Sequence, residues 1–149
     1  MAGGIPSLWP TDIRVDVRTP LAILRSQVDP LFQLTKGLLI AKITTQMDDK
    51  GAWVSHTFEL VAPTLAEYRY TVIEANHAKD RVYPVTVMAI GVGQTEFGGW
   101  PVAQTEEEFI EMVGHALRSP EVRSVIQSLL ARINEERLRP APDADAGKN

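Results

Sequence analysis

Residues 38 to 90 read LLIAKITTQMDDKGAWVSHTFELVAPTLAEYRYTVIEANHAKDRVYPVTVMAI, and their patterning decides the fold class. Leu39, Ala41 and Ile43 alternate with Lys42, Thr44 and Gln46. That is the period of two a strand imposes, and one polar face argues for an antiparallel sheet. Asp48-Asp49-Lys50-Gly51 is turn chemistry, with Gly51 free to take positive φ. Leu38 to Met47 and Ala52 to Val61 are therefore expected as a hairpin, with Val54, Phe58 and Leu60 on one face and Trp53, Ser55, Thr57 and Glu59 on the other. Ala62-Pro63-Thr64 breaks the pattern, and Leu65 to Glu67 is expected as a single helical turn. Tyr68 to Ala75 and Val82 to Ile90 complete a four-stranded meander. The fourth strand is apolar on both faces, Met88 and Ile90 against Val85, Val87 and Ala89, so it is either central or covered twice.

Helix signals flank this run. Thr19-Pro20 pairs an N-cap with a proline whose missing N–H costs nothing there, and Leu21, Leu24, Val28, Leu31 and Leu34 recur at helical spacing until Gly37. Pro30 inside that pattern predicts a kink, or a division into two short helices, near Asp29. Thr105-Glu106-Glu107-Glu108 reads as a capping box ahead of Phe109, Ile110, Val113 and Leu117. Ser119-Pro120 opens a last helix with Val122, Val125, Ile126, Leu129, Leu130 and Ile133 on its inner face. The expected class is α+β: an antiparallel meander between a broken N-terminal helix and two C-terminal helices. Residues 1 to 18 are expected as an arm bearing Trp9 and the alternating Ile13, Val15 and Val17, residues 19 to 139 as one domain, and residues 140 to 149 as a disordered tail.

Composition removes several functions. The chain of 149 residues has no cysteine, which excludes disulfides, thiolate zinc sites and cysteine nucleophiles. A net charge of −4 with scattered Lys and Arg disfavours nucleic acid. No run approaches the ~20 apolar residues of a membrane span, and no signal peptide is read at Met1-Ala2-Gly3-Gly4, so a cytoplasmic protein is expected.

Three groups of residues could carry chemistry. His56, Glu74, Asn76 and His77, with Asp80 nearby, could supply a general base beside a carboxylate. His56 falls on the apolar face of its strand, Glu74 and Asn76 share a face, and His77 lies opposite Glu74. The two histidines are not expected to line up on one face, and no metal or cofactor is expected. Gly91-Val92-Gly93-Gln94-Thr95-Glu96 follows a strand as a phosphate loop would, but Glu96 stands where a third glycine is needed and would repel phosphate. Trp53, Tyr68, Arg69, Tyr70 and Tyr83 could form a recognition surface, because aromatic and Arg side chains bury much area at low entropy cost. The serines show no Gly-x-Ser-x-Gly elbow.

The element order, together with Tyr83-Pro84, resembles that of ubiquitin-conjugating enzymes and the related RWD domains, which carry the same dipeptide. The absence of cysteine excludes the conjugating chemistry. The expected function is a non-enzymatic protein-interaction module, an adaptor or chaperone-like or inhibitor-like protein, binding a protein partner or itself. The alternative is a small hydrolase or nuclease built on His56, His77, Glu74 and Asp80.

Overall fold

Hydroxyl caps start three of the helices. Thr19 accepts from the Ala22 N–H at 3.1 Å, Thr105 from the Glu108 N–H at 3.2 Å and Ser119 from the Val122 N–H at 3.2 Å. Each satisfies a donor that the first helical turn leaves without a partner, worth about 1 kcal/mol. The computed structural model describes residues 4–138. The expected tail, residues 140–149, lies outside the described residues.

Pro30 divides the first helix into α1 (Pro20–Arg25) and α2 (Val28–Leu34). Its missing N–H would have bonded the carbonyl of Ser26, four residues back, and the helix stops there. In α2 the proline occupies the first turn, where it is tolerated.

The sheet contains β1 (Ile40–Met47), β2 (Trp53–Ala62), β3 (Tyr68–Ala78), β4 (Val85–Ala89) and β5 (Val102–Ala103), in sequential order with every pair antiparallel. The meander is as expected, with one strand more. β5 pairs Ala103 with Val85 and Val102 with Thr86 at the end of the Gly-rich loop. Two residues are too few to show alternation. β5 also makes β4 an internal strand at that end, as its apolar character requires.

One local expectation is corrected, and the sheet carries one irregularity. The turn at Leu65 to Glu67 is not right-handed: Ala66 and Glu67 take φ of 56° and 57°. The Tyr68 N–H donates to the Leu65 carbonyl and closes the link to β3. Between Phe58↔Ile73 and Glu59↔Thr71 the register shifts by one residue, which leaves Val72 as a bulge in β3. From there to Tyr68 the strand's faces exchange, so Tyr70 pairs with Leu60 on the apolar face and Arg69 with Val61 on the other.

All the helix packing lies on one face. Ile23 and Leu24 of α1, Phe109, Val113 and Ala116 of α3 (Glu106–Leu117) and Val122 of α4 (Pro120–Leu138) join Ala41, Phe58, Leu60, Ile73, Ala75, Val85 and Val87 in one core. Further along α4, Leu129 and Ile133 close over Leu39 and Ala62. The C-terminal helices therefore cover the same sheet face as α1. No helix among the described residues is long and apolar enough to cross a membrane.

The Gly-rich segment has a packing role. Gly91 takes φ +81°, and a Cβ there would stand 2.5 Å from Cβ of Ser119, the buried cap of α4. Around Gly93 nothing lies within 4 Å. Gly91→Ala is predicted to lose about 2 kcal/mol in urea unfolding, through left-handed strain and displacement of the cap. Gly93→Ala should stay within about 0.5 kcal/mol of the parent.

Candidate functional site

The hairpin register sets the first half of the polar cluster. Asp48 Oδ1 accepts from the N–H groups of Ala52 and Trp53, and Gly51 closes the turn on the Asp48 carbonyl. Met47 then pairs with Val54 and Thr45 with His56. On the other side His56 pairs with Ala75 and Val54 with His77. Residues directly opposite share a face, so His56 and His77 are diagonal neighbours on the helix-covered face. This corrects the expectation that the histidines diverge. The parity argument set His77 against Glu74 correctly but could not relate β3 to β2 without the register.

The pair is buried, at 4% exposure for His56 and 6% for His77. Their rings lie 5.1 Å apart between centroids, with Nε2 atoms 3.0 Å apart. The proton positions follow from the partners. His77 Nδ1 lies 2.8 Å from the Ala78 carbonyl oxygen and 3.1 Å from that of Arg81. Carbonyls only accept, so Nδ1 carries hydrogen and Nε2 of a neutral His77 is an acceptor. His56 Nε2–H therefore donates to it, which leaves His56 Nδ1 to accept from the Thr45 hydroxyl at 2.8 Å. The chain runs from Thr45 through His56 and His77 to two backbone carbonyls, and each ring nitrogen has a partner.

Burial, then the neighbouring His77, then Arg25 lower the pKa of His56 to about 4. Such a histidine is a poor proton acceptor near neutral pH. The other members of the proposed catalytic set stand apart. Glu74 and Asn76 face away from the helices, with Glu74 accepting from Ser55 Oγ at 3.2 Å across the strand pair. Asp80 is exposed in the turn after β3. Among the described residues no group of three or more His, Asp or Glu is arranged to hold a metal ion.

The aromatic set also divides. Trp53, at the start of β2, is 54% exposed and lies on the outer sheet face with Ser55, Thr57 and Glu59. Arg69 shares that face, at its far end, 3.7 Å from Glu59. Trp53 and Val61, the partner of Arg69, are eight positions apart on β2, roughly 26 Å of strand. Tyr70 packs against the core from the other face. Tyr68, across from Ala62 at the sheet's end, is exposed. Tyr83 is set edge-on to Phe109, and its hydroxyl donates to the Arg18 carbonyl at 2.9 Å. Burial and the adjacent Glu106 push its pKa up to about 12.

Sequence reasoning missed two participants. Thr45 could have been found, because the Asp48 to Gly51 turn already places it opposite His56. Arg18 could not: its N–H and Nε both donate to the Glu106 carboxylate at 2.7 Å, a contact that depends on the whole fold. The Arg18 backbone bond, then its side-chain bond, hold the Glu106 carboxyl below the usual carboxylate range.

No family model, curated protein or solved structure matches this chain. The resemblance to ubiquitin-conjugating enzymes therefore rests on element order and on Tyr83-Pro84, which is cis.

The depressed pKa of His56 sets an acid limit. Unfolded, the residue binds a proton near 6.5; folded, near about 4. Between those values the unfolded state holds more protons, so stability is full above about pH 6.5 and falls as the pH drops toward 4. Urea unfolding across this window should show a loss approaching about 1.4 kcal/mol per pH unit. His56→Phe should flatten that slope. An unchanged slope would mean that other groups carry it.

Proposed function

We propose that the protein is a non-enzymatic protein-interaction module, and that the outer face of the sheet is its binding surface. The observation that carries this reading is Trp53. It is a large aromatic left 54% exposed at a position fixed by Asp48, whose side chain holds the N–H of the tryptophan itself. A rigid aromatic gives an interface much contact area for little lost entropy. Around it Lys42, Thr44 and Gln46 of β1 and Ser55 and Thr57 of β2 face the same way and can hydrogen-bond a partner. All the helix packing lies behind the sheet, which supports this face as the available one. The hydrolase reading needs Glu74 or Asp80 beside a histidine, but Glu74 lies on the opposite sheet face from both histidines and Asp80 is exposed in the turn after β3.

Replacing an exposed side chain should leave the fold nearly untouched, within about 0.5 kcal/mol. Trp53→Ala is therefore predicted to keep the parent's unfolding midpoint while weakening the native partner at least tenfold, about 1.4 kcal/mol. A photo-crosslinking amino acid at position 53, expressed in the native host, should capture a protein that the same probe at Lys50 does not. Equal capture at both positions, or no loss of binding on Trp53→Ala, would remove this face from the reading.

A further inference from the structure

Two features of this chain fit one another and are unused by the outer face. The first is the arm, residues 4–17. Ile5, Leu8, Trp9, Ile13, Val15 and Val17 stand in solvent along it, Trp9 at 77% and Val15 at 93% exposure. Isolated exposed apolar residues are ordinary, but six large ones within fourteen consecutive residues mark an interaction site. The second is a furrow between α1–α2 and α3–α4. Three adjoining cavities of about 420, 160 and 520 Å³ are all lined by Leu117. Leu31, Leu34, Val122 and Ile126 make the furrow apolar, and it reaches Phe58 of the core.

The charges match as well as the surfaces. In extended chain Ile13, Val15 and Val17 face one way while Asp12, Arg14 and Asp16 face the other. The furrow's walls carry Arg118 and Arg123, the sign that Asp12 and Asp16 require, and Glu111, the sign that Arg14 requires.

Within one chain the two do not meet. Arg18 lines the mouth of the furrow and is clasped by Glu106, while Thr19 is extended at φ −74° and ψ 158° as it caps α1. Lying in its own furrow would require the arm to reverse beside α1 at these two fixed residues. A second copy needs no reversal. We propose that two copies of this chain exchange arms, each arm lying in the α1–α4 furrow of the other. The exchange is reciprocal, so the contact closes as a twofold dimer. It takes the exposed apolar side chains of both arms out of water, the burial that drives association.

The chain has no cysteine, so introduced pairs report cleanly. Full-length Ile13→Cys and Gln127→Cys proteins, one carrying a size tag, are mixed and mildly oxidised. Arm exchange predicts disulfide-linked dimers containing one of each, well above the yield of Ile13→Cys mixed with Lys50→Cys. A protein bearing both Ile13→Cys and Gln127→Cys that closes on itself as a bridged monomer would overturn it, as would equal yields in the two mixtures. Light scattering adds an independent measure. The parent chain should be dimeric at micromolar concentration, and Trp9→Asp with Ile13→Asp should raise the dimer dissociation constant at least tenfold while leaving the far-ultraviolet circular dichroism of the folded domain unchanged. A monomeric parent overturns arm exchange alone, because loss of partner binding on Trp53→Ala is read separately, and Trp53→Ala should leave the dimer intact.

Discussion

Between the Phe58–Ile73 and Glu59–Thr71 pairs, β3 holds one residue more than β2, and that residue, Val72, turns the strand through half a pleat. Toward the C-terminal end Glu74 and Asn76 go outward while Ala75 and His77 go inward. Toward the N-terminal end Tyr70 goes under the helices while Arg69 and Thr71 go outward. The bulge is secured from two directions. Val72 and Ile73 are both buried, and exposing either would cost about 1.5–3 kcal/mol. The Val72 carbonyl also accepts from the Ile90 N–H at 3.0 Å, which ties the bulge to the chain leaving β4. A slip of one residue would cost both, and it would also place His77 in water.

The two faces set up by this register have different chemistry. Behind the sheet, polar groups occur as a closed chain: Thr45, His56 and His77 satisfy one another and two carbonyls, as buried groups must in a medium of low dielectric. In front, the groups are Lys42, short hydroxyls and amides, one carboxylate that takes a hydroxyl hydrogen, and a half-buried Arg69–Glu59 pair worth at most about 1 kcal/mol. The histidines are therefore a structural element of the core. Their free energy is invested in one arrangement of β2 against β3.

The sequence revealed structure wherever local physics decides it. The Thr19, Thr105 and Ser119 caps, the Asp48 to Gly51 turn and the inner stripe of α4 act over a few residues, and each was readable. So was the class of the sheet. The bulge was not, because Val72-Ile73 is two adjacent apolar residues and reads the same with or without an extra position. The site inherited that gap. Parity within β3 separates Glu74 from His77, but which of them meets His56 depends on pairing across 21 residues of chain. Alternation within β2 already placed Trp53 outside, but separating Arg69 outside from Tyr70 and Tyr83 against the core required the same long-range information. Ala66 and Glu67 form a separate failure: a left-handed pair at non-glycine residues carries no compositional sign.

The clasp at Arg18 also concerns the order in which the chain assembles. It joins residues 88 positions apart, and Tyr83, 65 positions from Arg18, contributes a third bond to the same point. Contacts of such separation gain nothing until the segments between them are already compact, because the entropy of closing so large a loop comes first. Before the meander is laid down and α3 has docked, the N-terminal segment has no fixed point of departure. The direction in which residues 4–17 leave the body is thus a property of the finished domain, and a partly folded chain cannot present its arm in that way.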